Sequence, residues 1–288
     1  MRVLVTGARG RIGRHVVDQL VARGDEVVAI DRAPLGEQAV PEGVTAHQVD
    51  LLEIERTRSL SAGCDALVHL AAIPSPRQDV AEEVFRVNVV STFNVLQAFT
   101  DAGGGRAVLA SSLSALGMSW GPRVFSPLYA PVDEEHPLFP ADAYGLSKEV
   151  TERTGEMFHR RAGTTVVMLR FPGVFDAVRR AERIAALRRD PGTEVDVREL
   201  WAYIYHDDVA SAFVLGVHAD ISGCEVVNVG AADTLCEVAT VELLRRYHPT
   251  TEIRAAIEGT APVWSIEKAR RLLGFTPRHS WRRESQAT

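Results

Sequence analysis

The first thirty-one residues constrain the fold more than any other stretch of the chain. Residues 2–6 (RVLVT) are apolar and β-branched, which reads as a buried strand. GARGRIG follows, with Gly7, Gly10 and Gly13 around Arg11 and Ile12. A helical pattern then runs through Ile12, Val16, Val17, Leu20 and Val21 and closes near Gly24. A second apolar run, EVVAI, ends at Asp31. Strand, glycine turn, helix, strand and acid in this order is the opening unit of a parallel dinucleotide-binding sheet. Each glycine has a physical task there. One makes the tight turn, one lets a pyrophosphate approach the backbone, and one lets helix and strand pack closely. The helix start adds unpaired N–H groups and the positive end of a dipole.

Asp31 stands where a carboxylate hydrogen-bonds a ribose 2′-OH and repels a 2′-phosphate, so the expected cofactor is NAD. Arg32 and Arg9 are beside it and able to meet a phosphate, which leaves NADP as the less favoured alternative.

Further strand-like runs at 44–49, 66–72, 107–112 and 165–170 alternate with helical stretches. This predicts an α/β chain with a Rossmann-type, doubly wound parallel sheet. Ligands bind beyond the carboxyl ends of such strands, where Gly7, Asp31, Asp50, Ala71, Ser111 and Ser112 fall. Residues 78–102 read as one long helix with Asn88 in its middle, and 120–142 as a loop rich in proline and acid. Past residue 171 the pattern changes. A basic helix is expected over 177–190, a strand leading into a helix at 201–208, a strand at 225–230, and amphipathic helices at 235–247 and 265–275. The predicted organisation is a dinucleotide-binding domain over 1–170 and a smaller substrate-binding region over 171–288, its strands and helices interleaved with the main domain. A frayed tail is expected over 282–288.

Composition removes several classes. The net charge of −6 gives no general attraction for nucleic acid. No apolar run is long enough to span a bilayer, and the N-terminus lacks a secretory pattern, so a cytoplasmic protein with no membrane partner is expected. The three cysteines, Cys64, Cys224 and Cys236, form no metal-ligand or redox motif and read as small buried residues, and no metal site is expected.

AYGLSK, at 143–148, places Tyr144 and Lys148 on one helix face, with Asp142 positioned as N-cap. A phenol with a reference pKa of about 10 is a poor base near neutrality. A nearby ammonium is expected to lower that pKa, so that the tyrosine exchanges a proton with a substrate hydroxyl or carbonyl while hydride moves at the carbon. Ser112, at the end of the strand LASS, is the expected donor to the substrate oxygen.

TGARGRIG, Asp31, Asp50-Leu51, HLAA (69–72), Asn88, LASS (109–112), the P-L-F-P-x-x-x-Y-G-x-S-K stretch and YIYHDDVA together resemble the extended short-chain dehydrogenase/reductases, the NAD-dependent epimerase/dehydratase family. The resemblance extends from Arg2 to about Val229. It implies Ser112 and Tyr144 beside the reacting oxygen and Lys148 bonded to the nicotinamide ribose. It implies Gly7, Gly10, Arg11, Ile12 and Gly13 at the pyrophosphate. Asp31 and Arg32 would lie at the adenosine ribose and Asp50-Leu51 beside the adenine. Leu70, Ala71 and Ala72 would line the cofactor cleft, with Asn88 among the cofactor contacts.

The departures from the family pattern concern the substrate. Dehydratases of the family carry an Asp-Glu pair after the serine position. Here the chain reads Ser112, Leu113, Ser114, Ala115, so no 4,6-dehydratase activity is expected. Gly173 stands at an asparagine position, and Trp201 stands where nucleotide-sugar enzymes place the arginine that grips a diphosphate. Arg179, Arg180 or Arg183 would replace that clamp, or would be the solvated face of a helix. HDD at 206–208 and the short second region look more like uronate dehydrogenases, in which Arg170 or Arg180 would hold a carboxylate. His206 reads as structural. Ser75, Ser112, Ser114 and Gly173 complete the expected substrate contacts.

The expected function is NAD-dependent hydride transfer at a secondary alcohol or ketone of a small polar, sugar-like or sugar-acid-like substrate. A nucleotide-sugar epimerase or 4-ketoreductase is the alternative, and a non-catalytic dinucleotide sensor the more distant one. A homodimer through the helices at 78–102 and 142–163 is expected.

Overall fold

The computed structural model describes residues 1–34 and 41–282; most of the expected tail lies outside them. Strand β1 (Arg2–Thr6) leads through the glycine turn into helix α1 (Arg11–Ala22) and β2 (Glu26–Asp31). Next come β3 (Val44–Gln48), α2 (Ile54–Ser61), β4 (Ala66–His69), α3 (Ala81–Asp101) and β5 (Arg106–Ala110). Helix α4 (Ala143–Ala162), β6 (Thr165–Arg170), α5 (Ala177–Arg189), α6 (Glu194–Arg198) and α7 (His206–His218) follow. The chain ends with β7 (Cys224–Asn228), α8 (Thr240–Tyr247) and α9 (Glu267–Leu273). The seven strands form one parallel sheet in the order β7-β6-β5-β4-β1-β2-β3. The order reverses at β1, so the crevice between the loops after β1 and β4 is a topological switch point.

The strands bury both faces, as parallel strands flanked by helices must. Val3 and Val5 point to the layer of α1, α7 and α9, with Leu20, Phe213 and Leu273. Leu4, between them, points to the opposite layer, with Phe99 of α3 and Phe158 of α4. The alternation follows from the two-residue period of a strand.

Chain beyond residue 170 contributes to both parts of the molecule. β7 is the outer strand of the main sheet beside β6, and α7 lies against α1 on the sheet. The remainder builds two further apolar clusters, one of them together with residues 113–138. One is centred on Leu116, Val132, Leu200 and Trp264, the other on Phe175, Trp201, Tyr203 and Trp281. Short two-residue strand pairs, Val174–Phe175 with Ile204–Tyr205 and Tyr129–Ala130 with Glu252–Ile253, tie these segments together.

Element boundaries differ from expectation in one informative place. The helix expected over 235–247 starts only at Thr240. Leu235 N–H donates to the Trp201 carbonyl and Thr234 N–H to that of Thr260, so this backbone is already committed to neighbouring segments.

Candidate active site

A cleft of about 1110 Å³ opens along the carboxyl ends of the strands. Its floor at one end is the turn after β1. Gly7 has a φ of +69°, and a Cβ there would lie 2.7 Å from the Ala71 nitrogen. A Cβ on Gly13 would lie 2.1 Å from the Gly7 carbonyl oxygen. Side chains at either place would collide with backbone, so the turn is shaped by the absence of Cβ atoms. No side chain caps α1, and its first N–H groups border the cleft at Gly10, Arg11, Ile12 and Gly13. That backbone fits a dinucleotide pyrophosphate. Asp31 lies at the same end, its carboxylate fixed by the N–H groups of Arg9 (2.9 Å) and Ala33 (3.0 Å). Arg32, Asp50, Leu51, Leu70, Ala71, Ala72 and Ser75 complete the wall.

At the other end β5 and α4 bring Ser112, Tyr144 and Lys148 to the same cavity. Asp142 caps α4 as expected, accepting from the N–H groups of Tyr144 and Gly145 at 2.9 Å each. Lys148 donates to the Ala110 carbonyl at 2.9 Å, and its Nζ lies 5.5 Å from the centre of the Tyr144 ring. Burial lowers the Lys148 pKa to about 8. Burial also pushes the Tyr144 phenol up to about 12, against a hydrogen bond with Ser112 that pulls it down. The expectation of a phenol lowered by the ammonium is therefore corrected. Desolvation of the phenolate is the largest influence, and the same burial disfavours the charged form of Lys148. The Ser112 hydroxyl also accepts from Ser114 N–H at 3.0 Å, which places Ser114 beside it on the cleft wall.

Three expected contact residues lie outside the cleft. Asn88 is buried behind it. Its side chain accepts from Ile73 N–H (2.7 Å) and donates to the Ile73 carbonyl and the Ser147 hydroxyl (3.1 Å each), so it ties the loop after β4 to α4. Arg170, 4% exposed, is committed to Glu152 through two 2.8 Å bonds, and Glu152 also accepts from Ser111 at 2.6 Å. No donor of Arg170 faces the cavity, and it cannot hold a substrate carboxylate there. Arg180 stacks on the Tyr205 ring at 4.8 Å and does not line the cleft. Trp201, at the supposed clamp position, is fully buried and donates to the Pro191 carbonyl at 2.8 Å.

That end of the wall is made by Arg179, Glu182, Arg183 and Ala186, one face of α5, with Glu199, Phe175 and the expected Gly173; Arg179 and Arg183 are two of the three arginines weighed for the clamp. Arg183 is held by Asp196 at 2.8 Å. Burial pushes the Glu199 carboxyl up to about 7, with Arg183 and Arg179 pulling it back and Asp196 adding to the rise. Arg77 stacks on Trp120 at 4.8 Å, and both border the cavity. His206 borders it too, stacked on His15 at 5.5 Å, its pKa lowered mainly by burial. The i, i+3, i+4, i+7 spacing of the α5 face was visible in the sequence. Which face turns inward was not, and Glu199 and Trp120 lie outside any periodic pattern.

Residues 3–230 match the model of the NAD dependent epimerase/dehydratase family. A UDP-glucose 4-epimerase from Streptomyces lividans is 29% identical over 96% of this chain and 91% of its own length. An NAD-dependent glucose-6-phosphate dehydrogenase from Haloferax volcanii is 30% identical over 58% of this chain and 66% of its own length. The chain matches a further curated relative, from Methanocaldococcus jannaschii, over 56% of that protein's length. Among solved structures, MoeE5 in complex with UDP-glucose and NAD superposes with a TM-score of 0.70 at 27% identity, covering 98% of this chain and 95% of that one.

Proposed function

Because the chain belongs to the NAD dependent epimerase/dehydratase family, we propose that it transfers hydride between NAD and a secondary alcohol or ketone of a sugar-like or sugar-acid-like substrate. The observation that carries this reading is the convergence of Ser112, Tyr144 and Lys148 in one cleft with the glycine cradle and Asp31. In this reading the turn from Gly7 to Gly13 takes the pyrophosphate, Asp31 the adenosine ribose, and Asp50 and Leu51 the adenine. When bound, NAD supplies the hydride acceptor or donor and, in its oxidised form, a cationic ring. Ser112 holds the substrate oxygen. Toward a ketone, Tyr144 donates its phenolic proton to that oxygen; toward an alcohol, its phenolate takes one. The raised phenol pKa favours the protonated Tyr144. Lys148, fixed by Ala110, is the cation nearest that phenol and supports the phenolate when it forms.

The test is Tyr144→Phe. NAD-linked turnover of a responsive sugar should fall by about 10²–10⁴, while fluorescence titration with NADH is unchanged. Undiminished turnover would refute the mechanism.

A second reading, epimerisation or 4-ketoreduction of a nucleotide sugar, is supported by the similarity to the Streptomyces lividans epimerase along almost the whole chain. Mass spectrometry of nucleotide released from freshly purified protein separates the two. Stoichiometric retained NAD favours the epimerase, which returns its hydride; an empty site that refills weakly favours the dehydrogenase. We also infer a homodimer through α3 and α4, where Val90, Phe93 and Leu146 are exposed apolar residues. A monomeric mass by light scattering would overturn it.

A further inference from the structure

The substrate half of the cleft holds a carboxylate, Glu199, that the mechanism above does not use. Glu199 follows α6 and borders the cavity beside Gly173; its Oε2 lies 3.3 Å from where a Gly173 Cβ would stand. Gly173 belongs to the segment whose Phe171 carbonyl accepts from Leu113 N–H at 3.0 Å, next to Ser112. The Glu199 side chain thus lies beside the 171–173 segment, whose Phe171 is hydrogen-bonded to the residue after Ser112. The influences on its carboxyl are burial and through-space charge alone, with no hydrogen bond among the described residues. The carboxylate therefore borders the cavity with hydrogen-bonding capacity unspent among the described residues.

The charged groups around it set what it can receive. Arg179 and Arg183 of α5 and Asp196 of α6 act on Glu199 directly, while Glu182 and His206 border the same cavity. Arg183 is engaged by Asp196. The Arg179 guanidinium lies over the Phe175 ring at 5.0 Å and makes no side-chain hydrogen bond among the described residues. Guanidinium donors and carboxylate acceptors thus flank one space. Adjacent hydroxyls, each both donor and acceptor, match that pair. A carboxylate or diphosphate would meet the Glu199 charge at close quarters; Arg183 is already paired with Asp196, Arg170 and Arg180 do not line the cavity, and Trp201 is buried, which leaves Arg179 as the guanidinium to offset that charge.

We propose that Glu199 is the specificity-determining residue of the substrate half, accepting hydrogen bonds from a vicinal diol of a neutral sugar and disfavouring anionic substrates at that place. The proposal rests on the sugar-oxidoreductase reading and narrows its substrate class. It makes binding pH-dependent. Ionised Glu199 is the stronger acceptor, so affinity for a neutral sugar increases as pH rises through the Glu199 pKa.

The test is calorimetric titration of NAD-saturated protein with D-glucose, D-glucuronate and UDP-glucose between pH 6 and 8. For the natural protein, D-glucose should bind more tightly than D-glucuronate or UDP-glucose, and more tightly at pH 8 than at pH 6. In Glu199→Gln, D-glucose should bind about tenfold more weakly, its pH dependence should flatten, and the gap to D-glucuronate should narrow. Glu199→Ala should give the same pattern, while a thermal melt of each variant checks that it is folded. Preference for either anion in the natural protein, or an unchanged preference and pH profile in both variants, would overturn the role of Glu199 and leave the sugar-oxidoreductase reading standing. Binding of none of the three sugars, with NAD bound normally, would overturn both.

Discussion

The two ends of the cleft are made of different material. The end under α1 is backbone: a left-handed Gly7, a Gly13 with no room for a methyl group, and the uncapped start of a helix. The end under α5 is side chain: two arginines, two glutamates and a tryptophan, brought from three separate segments. A backbone site has few degrees of freedom and recognises what backbone N–H groups can recognise, a phosphate. A side-chain site is redefined by single substitutions. The same framework can keep one cofactor while changing what is offered to it.

The largest effect that would sharpen this contrast belongs to the point where the two ends meet. Tyr144→Phe should cost turnover by about 10²–10⁴ and leave NADH affinity alone; a parallel loss of NADH affinity would show that the ends are not separable. Next is the buried support of that point. Arg170→Met strands the Glu152 charge beside Ser111 and should lower unfolding free energy by roughly 3–5 kcal/mol in urea titration. A smaller loss would mean that the Arg170–Glu152 pair is not the support of this end.

Gly13→Ala tests the backbone end directly. The added methyl group must displace the Gly7 carbonyl, and NADH binding should weaken by about ten- to a hundredfold. Unaltered binding would break the view of this end as a rigid cradle. The side-chain end should respond more gently and with a pH signature. Glu199 has a folded pKa raised to about 7, above its ordinary carboxylate value. Its favourable contribution is present below the unfolded pKa and is lost as pH rises through the folded one. Glu199→Gln should therefore melt higher than the natural protein at pH 8, by on the order of 1–3 kcal/mol, and no higher near pH 4.5. A stabilisation that did not depend on pH would assign the effect to packing rather than charge.

Much of the cofactor end was legible in the sequence because its determinants are local. Glycine spacing, the acid closing the second strand and the Asp142 cap each act within a few residues. Ser112, Tyr144 and Lys148 were legible as a set because helix spacing fixes two of them and a strand end fixes the third. Asn88 and Arg170 were read as contacts and are supports, since a polar residue in the sequence does not show whether its partner is a ligand or another segment. Arg170 met Glu152 and Asn88 met Ile73, partners 18 and 15 residues away. The Tyr144 phenol is raised for a related reason: helix spacing shows the ammonium but not the extent of burial.

What the sequence determined by itself is the parallel sheet, the glycine cradle and the tyrosine–lysine pair, because strand alternation, turn conformation and helix periodicity are short-range physics. What only the tertiary structure decided is the substrate end. There the chain turns through two consecutive left-handed residues, Leu200 at φ 56° and Trp201 at φ 54°. For residues with a Cβ this conformation costs roughly 1–2 kcal/mol each, and it persists here with both side chains fully buried. The turn carries Trp201 into the core, where an arginine clamp had been looked for, and leaves Glu199 on the cleft wall. No local pattern records that choice, because it is made by packing between segments distant in the chain.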